Sequence, residues 1–352
     1  MPHIVTLKAS GHRFAVEDGE TVLQAAQRAG LALSYSCRAG LCGSCKAIVL
    51  EGRCHYPHNP PSALNAAEQA RHAALLCQAV PLTDLLLEVR EVASVEDMPR
   101  QQISVRVSAR DRLAPDVMRL QLQPVAGARM RWLPGQYVEV LLEDSKRRAF
   151  SLARAPHEGS ELEVHVRHVA GGGFTSWVFD GLAIGDTLRV EGPFGTFVPR
   201  EDSERPMVLV AGGTGFAPVK AIIEHFLHLG ARRPMHLYWG ARTDADLYLR
   251  PLPERWAAVV PTLDFHPVIS DAMEAERAGT RCGLVHEAVL EDFPDLSGHD
   301  VYMCGPPALI DAGRRTFVEA GLPEARLYYD SFDYAPEVLA RILDARAGIH
   351  GM

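Results

Sequence analysis

The sequence predicts a multidomain protein: a small mixed domain, an antiparallel β-barrel and an α/β domain with a parallel sheet, in that order along 352 residues. Three observations carry this. Five of the seven cysteines fall between Cys37 and Cys77, inside a segment with hairpin and helix signals. Short alternating strands follow, broken by Pro134-Gly135, Gly171-Gly172-Gly173 and Gly192-Pro193, as in a barrel. After residue 205 buried strands alternate with helical stretches, which argues a parallel sheet with both faces covered. The length alone exceeds one ordinary core.

Composition narrows the function classes. Hydrophobic content of 47% and charged content of 23% are ordinary for a folded protein. The net charge of −8 comes from interspersed signs with no Lys/Arg run, so nucleic acid and anionic membrane are not expected partners. No run of about 18 apolar residues predicts a membrane span. The start Met1-Pro2-His3-Ile4-Val5 lacks a basic stretch followed by an apolar one, so a cytoplasmic location is expected. An odd, clustered cysteine set then reads as metal binding rather than a disulfide framework.

The first domain is expected over residues 1–92. His3–Lys8 and Arg13–Val16 alternate around Ser10-Gly11-His12 as two hairpin strands. Thr21 and Gln24 form a capping box; Val22, Ala25, Ala26 and Ala29 recur at helical spacing, and Gly30 supplies a stop. Leu85–Val89 reads as a closing strand, and residues 93–101, containing Pro99, as a linker. The barrel is expected over 102–202, where Ile103, Val105 and Val107 share one face, as do Leu162, Val164 and Val166. The α/β domain is expected over 203–335. Its strands are Met207–Ala211, His236–Trp239, Leu263–Ile269, Val301–Cys304 and Leu327–Tyr329. A helix after the first strand turns Val219, Ile222, Ile223 and Phe226 inward. Residues 336–352 form a tail with a short helix of no legible role.

Cys37, Cys42 and Cys45, with the distant Cys77, give C-x4-C-x2-C plus one, the plant-type [2Fe–2S] spacing. Two irons need four thiolates. A tight loop must wrap one side while pointing N–H groups at sulfur, and Gly40 and Gly43 relieve crowding there. Zinc or free core thiols are the competing readings. Zinc sites usually add a second close cysteine pair or histidines, whereas Cys77 stands alone. A Rieske centre needs two histidine ligands, and no suitable Cys-x-His pair occurs. Cys54 and Cys282 read as incidental thiols.

On these residues the first segment resembles a plant-type ferredoxin domain of β-grasp fold. The rest is similar to a ferredoxin–NADP reductase-type module, a flavin barrel followed by a nucleotide domain. In this order the chain resembles the single-chain reductase components of multicomponent oxygenases, and especially CDP-6-deoxy-3,4-glucoseen reductase-like proteins. The resemblance implies FAD, with FMN the lesser option. Arg148-Ala149-Phe150-Ser151 matches the family's flavin motif. Arg148 is then expected on the pyrophosphate, Phe150 on the ring face and Ser151 near the reactive N5. Phe150 stands where Tyr is commoner, which keeps stacking and drops a hydroxyl. Gly171-Gly172-Gly173 resembles the second phosphate turn, with Gly172 and Gly173 giving N–H groups and Thr175 the preferred hydroxyl over Ser176.

The loop Gly212-Gly213-Thr214-Gly215-Phe216-Ala217-Pro218 lies between a buried strand and a helix. It matches the family's nucleotide loop, where glycines let backbone meet a pyrophosphate and Pro218 suits the first helical turn. Cys304-Gly305-Pro306 is the second match, and the resemblance puts Cys304 beside the nicotinamide. A buried structural thiol is the alternative. Arg242 is a candidate for a 2′-phosphate, but Asp244 and Asp246 would repel one, so NADH is expected and NADPH is the other option. Phe332 is the candidate flavin cover, with a core aromatic equally compatible.

The implied function is an NADH-dependent reductase. Hydride passes to FAD, and single electrons pass through the cluster to a terminal acceptor protein, an oxygenase component or alternatively a deoxysugar dehydratase. A non-catalytic electron carrier or redox sensor is the reading from another class. No catalytic histidine is nominated, since the chemistry needs none.

Overall fold

The structure is a computed structural model that describes residues 2–57, 61, 63–92, 98–143, 146–230, 232–278 and 280–332. Residues 93–97 of the expected linker and the tail 336–352 lie outside the described residues. The fold divides into two compact units. One runs to Pro99 and includes Phe194–Phe197; the other takes Arg100 to Pro193 and continues from Val198.

The first unit contains β1 (His3–Leu7), β2 (Arg13–Val16), α1 (Val22–Arg28), β3 (Lys46–Glu51), β4 (Cys54–His55), α2 (Ala66–Ala70), β5 (Ala73–Leu75), β6 (Val80–Pro81) and β7 (Leu85–Glu88). Five of these strands form one sheet in the order β2-β1-β7-β3-β5, and β4 pairs with β6 apart from it. β1 and β7 run parallel at the centre, with β2 antiparallel to β1 and β3 antiparallel to β7. Alternation explains the buried face: Val5, Leu7, Phe14, Val16, Leu85 and Leu87 all point into one core. The expected capping box is present at both ends: the Thr21 hydroxyl accepts from Gln24 N–H, and Gln24 Oε1 accepts from Thr21 N–H. α1 then buries Val22, Leu23, Ala25 and Ala26 in the same core.

The second unit opens with a six-stranded antiparallel sheet of order β11-β10-β13-β8-β9-β12. Its strands are β8 (Gln101–Ala114), β9 (Val117–Pro124), β10 (Tyr137–Leu141), β11 (Arg147–Ser151), β12 (Leu162–Arg167) and β13 (Thr187–Phe194), whose last residue falls in the first unit. An isolated Leu152–Val164 bridge joins the two edge strands and closes the barrel. Ile103, Val105, Val107, Leu162, Val164 and Val166 all lie in its core, together with Phe174, Val178 and Phe179 of α3 (Gly173–Asp180).

The remaining strands form a wholly parallel sheet of order β17-β16-β15-β14-β18-β19. They are β14 (Met207–Gly212), β15 (Met235–Ala241), β16 (Leu263–Ile269), β17 (Arg281–Cys282), β18 (Asp300–Gly305) and β19 (Leu327–Ser331). Between them run α4 (Phe216–His228), α5 (Pro251–Val259), α6 (Ala272–Ala278), α7 (Val285–Asp292) and α8 (Pro307–Glu319). Every residue of β14 and β18 is buried, as a centrally placed parallel strand requires. The chain leaves β14 towards β15 and returns on the other side as β18. That reversal opens a crevice at the carboxyl ends of β14 and β18. No described helix is long and apolar enough to cross a membrane.

Candidate functional site

In the first unit the loop 37–45 brings three thiols together with that of Cys77. Arg38, Gly40 and Gly43 take positive φ values of 58°, 77° and 79°, which winds the chain tightly enough to turn N–H groups inward. Gly40 has no room for a side chain, since a Cβ there would lie 2.8 Å from Pro61 Cβ. Cys37 Sγ accepts from the N–H groups of Ala39 and Cys42 at 3.3 and 3.4 Å, and Cys42 Sγ accepts from Ser44 N–H at 3.5 Å. Gln78, beside the fourth cysteine, donates to Arg38 O and anchors the loop from below.

The thiols touch in two pairs. A hydrogen bond from Cys37 pushes Cys42 down to about 5. The contact between Cys45 and Cys77 lowers Cys77 and, with burial, raises Cys45 well above the usual thiol range. Cys42, Cys45 and Cys77 are buried and Cys37 is half-buried. Four convergent sulfurs, each with a backbone donor already aimed at it, fit a cluster of thiolate-bound irons. Cys54 lies on β4 and Cys282 on exposed β17, and neither joins the set.

In the second unit, Arg148 and Phe150 alternate onto one face of β11, and Ser151 is buried at its end opposite Tyr137. Arg148 donates to Arg147 O. The Phe150 ring meets Phe174 at 5.6 Å between centroids, which sets the flavin motif against the start of α3. Gly172 caps α3 with no side-chain hydrogen bond, so the N–H groups of its first turn are open to an anion. A Cβ on Gly173 would meet nothing within 4 Å, whereas one on Gly172 would lie 2.7 Å from Thr175 Oγ1. The Thr175 hydroxyl accepts from Val169 N–H at 3.1 Å and holds the turn's shape; Ser176 Oγ pairs with His168.

The nucleotide loop follows β14. Ala211 pairs with Cys304 in register, so the loops beyond them abut. A Cβ on Gly215 would fall 2.0 Å from Cys304 O, and one on Gly305 would fall 3.1 Å from Gly212 Cα. Only glycine permits this approach. Gly213 takes a φ of 54°, and its carbonyl accepts from Trp239 Nε1 at 2.9 Å. Thr214 is half-buried and Pro218 sits in the first turn of α4. Cys304 is fully buried, and burial pushes its thiol well above the usual range. Phe332 N–H donates to Gly305 O at 3.0 Å, which places this half-buried aromatic beside Cys304-Gly305-Pro306.

Arg242 is exposed and stands apart from these loops' contacts, at the end of β15. The two carboxylates expected to repel a phosphate there are engaged. Asp244 pairs with Arg250, and Asp246 caps Thr243 and lies 3.5 Å from Arg167. Their repulsion is therefore muted.

Several residues of the site gave no motif signal. Arg167, at the end of β12, approaches Gly213, and its Nε and Nη2 are buried with no hydrogen-bond partner among the described residues. An unpartnered donor of this kind, Nη2, beside a glycine loop suits an anionic ligand. Buried Lys220 donates to Ala153 O at 2.8 Å and pairs with Glu163 and Glu224. His165 bridges Glu163 to the buried Tyr248 hydroxyl, and Tyr248 packs edge-on against Trp239. Glu163, His165 and Lys220 make a buried charged cluster on β12 and α4, which sequence periodicity hides.

Comparison with known proteins gives three family matches in order along the chain. Residues 5–82 match the 2Fe-2S iron-sulfur cluster binding domain, 104–198 the oxidoreductase FAD-binding domain and 209–315 the oxidoreductase NAD-binding domain. The chain is 35% identical over 328 residues to a CDP-6-deoxy-L-threo-D-glycero-4-hexulose-3-dehydrase reductase of Yersinia pestis, covering 93% of this chain and 98% of that one. It is 34% identical over 338 residues to a terephthalate 1,2-dioxygenase reductase component of Comamonas, covering 96% and 99%. Among solved structures, Amycolatopsis cytochrome P450 reductase GcoB superposes with a TM-score of 0.74 at 36% identity, covering 94% of this chain and 98% of that one.

Proposed function

The chain belongs to the iron–sulfur flavoprotein reductases that join a 2Fe-2S domain to oxidoreductase FAD- and NAD-binding domains, and from that premise we propose that it draws hydride from NADH and delivers single electrons to a separate oxygenase component. One observation carries the reading: a three-cysteine loop with inward N–H groups that converges with Cys77, and a glycine crevice closing on Cys304, occur in one chain. When bound, FAD takes up electrons as a pair and releases them singly, which is what a donor of hydride and a one-electron cluster require between them.

The chain's own residues bind and orient. Cys37, Cys42, Cys45 and Cys77 hold the irons. Arg148 and the N–H groups at Gly172 and Gly173 would hold flavin phosphates, Phe150 would pack on the ring, and Ser151 would offer it a hydrogen bond. Gly212, Gly213, Thr214, Gly215 and Pro218 admit the nicotinamide dinucleotide's pyrophosphate, with Arg167 as a further donor. Gly305 and Pro306 shape the opposite wall. Cys304, kept protonated by its burial, positions the nicotinamide by shape rather than by attack. Phe332 covers the flavin from the end of β19.

NADH is the proposed donor on the carboxylates of Asp244 and Asp246 near Arg242, although Arg250 and Arg167 offset part of their charge, and NADPH is the alternative. The dehydrase reductase relative supports a second acceptor, a sugar-nucleotide dehydratase. We place the reaction in the cytoplasm, where nicotinamide dinucleotides are held; a secreted pool of active protein would contradict that. The deciding experiment supplies purified protein and NADH to an oxygenase component and, separately, to a sugar-nucleotide dehydratase. Turnover of the oxygenase supports the proposal, turnover of the dehydratase alone supports the second reading, and failure of both NADH and NADPH to reduce the flavin leaves only an electron carrier.

A further inference from the structure

At the opposite end of the parallel sheet from the crevice, His236, Asp264 and His266 gather on one face of β15 and β16. The two strands pair with His236 beside Asp264 and Tyr238 beside His266, so all four side chains stand on that face. One ligand atom from each of His236, Asp264 and His266 can be chosen so that all three lie within 4.8 Å of one another. His236 Nδ1 and Asp264 Oδ2 are already 3.0 Å apart.

From this geometry we propose a divalent transition-metal site, of zinc type, formed by His236, Asp264 and His266. Two imidazoles and one carboxylate are a borderline-soft donor set, which favours zinc, cobalt or nickel over magnesium or calcium. Tetrahedral zinc at bond lengths of about 2.0–2.1 Å needs donors about 3.3 Å apart, a modest closure from the spacing present. Asp264 is the least confined of the three side chains, being 60% exposed where both histidines are half-buried.

The two rings are held in place. His266 stacks on Tyr238 at 4.4 Å between centroids with planes 13° apart, and His236 packs on Phe293 at 4.9 Å. Tyr238 is fixed in turn, since its hydroxyl donates to Asp292 Oδ2 at 2.6 Å. Asp292 is taken up by this bond and by both terminal nitrogens of Arg281, which leaves Asp264 as the carboxylate for the ion. Three protein donors leave the fourth position to water. The site sits at the starts of β15 and β16, away from Cys304 and the glycine loops at the strand ends. The ion would act as a staple between two strands, with no part in electron transfer.

The alternative is a plain His236–Asp264 ion pair beside an unrelated histidine. Equilibrium dialysis of the holoprotein against Zn²⁺, with the cluster assembled so that its four cysteines are occupied, separates the two. The comparison is with Asp264→Asn, which keeps a hydrogen-bond acceptor for His236 but loses the anionic ligand, and with His266→Gln. We expect the wild-type chain to bind one more zinc per chain than either variant at low micromolar metal. Each substitution should weaken that site by at least about tenfold, the scale at which even outer-shell partners act. Zinc should also raise the thermal midpoint of the wild type and not that of Asp264→Asn. Equal zinc stoichiometry and affinity in all three proteins would overturn the site. NADH oxidation should be the same in Asp264→Asn as in the wild type without zinc, so the outcome is independent of the reductase reading.

Discussion

Lys220 Nζ reaches across 2.8 Å to the carbonyl of Ala153, joining the helix that follows the glycine loop to the end of the strand that carries Arg148, Phe150 and Ser151. Lys220 also lies 3.4 Å from Glu163 and 2.9 Å from Glu224. The proposed flavin and nicotinamide supports are thus held to one another by a buried cation. Lys220→Met removes the cation shared by Glu224 and Glu163, the latter keeping only His165, a loss of about 3–5 kcal/mol. The expected outcome is a lower thermal midpoint, and slower flavin reduction by NADH in single-turnover stopped flow even at saturating NADH. The double variant Lys220→Met/Glu163→Gln should recover part of the stability. An unchanged reduction rate in a destabilised single variant would mean that Lys220 only supports the fold.

The same cluster sets a pH dependence. Burial pushes Glu224 up to about 7, against the pull of Lys220, while Glu163 is driven down to about 2, its burial outweighed by His165 and Lys220. The raised Glu224 favours folding fully below its ordinary value near 4.5, and this contribution is lost as pH rises through about 7. The lowered Glu163 contributes above 4.5 and is lost as pH falls towards 2. Between pH 4.5 and 7 the wild type should therefore lose stability relative to Glu224→Gln as pH rises. Thermal midpoints of both proteins across that window make the check; parallel curves would contradict the assignment.

Two glycine substitutions should behave oppositely. Gly215→Ala places a Cβ 2.0 Å from Cys304 O, where only backbone movement gives room. Overpacking of this kind costs about 1–3 kcal/mol, and the crevice should open enough to raise the KM for NADH about tenfold or more. Gly173→Ala meets open space, so the fold should tolerate it. Its added methyl should instead weaken FAD retention, read as flavin per chain after gel filtration. Full FAD content in Gly173→Ala would move the phosphate away from the start of α3.

The local features were legible in the sequence and the long-range ones were not. The Thr21–Gln24 capping box and the strand Leu263–Ile269 follow from neighbours along the chain, and the structure has both at the expected residues. The cysteine spacing likewise announced a loop that converges, because C-x4-C-x2-C is itself a statement about one tight turn. The bond from Lys220 to Ala153 spans 67 residues and that from His165 to Tyr248 spans 83, and no periodicity encodes such pairings. Inside α4, the apolar spacing marks Val219, Ile222, Ile223 and Phe226 as inward and gives no sign of Lys220, which is buried as well. Asp244 and Asp246 looked like free repulsive charges because their partners, Arg250 and Arg167, could not be assigned from sequence. β8 runs on to Ala114, beyond the visible alternation at 103–107, because register shifts after Val107 break the period of two.

Cysteine replacement should split the activities. Cys77→Ser is expected to lose iron and acid-labile sulfide, retain FAD and flavin reduction by NADH, and lose most NADH-driven reduction of cytochrome c. Cys54→Ser, on a strand outside the convergent set, should keep both cofactors and both activities. Iron and sulfide assays with the two rate measurements check this. Full iron in Cys77→Ser would remove that thiol from the set.

The most direct measurement is an anaerobic NADH titration of the purified protein, followed by visible absorbance and low-temperature EPR. Two electrons for the flavin and one for the cluster make three, so about 1.5 equivalents of NADH should bleach both bands and raise a reduced [2Fe–2S] signal. Flavin bleaching complete at one equivalent, with the cluster untouched on standing, would contradict the claim that this chain turns paired electrons into single ones.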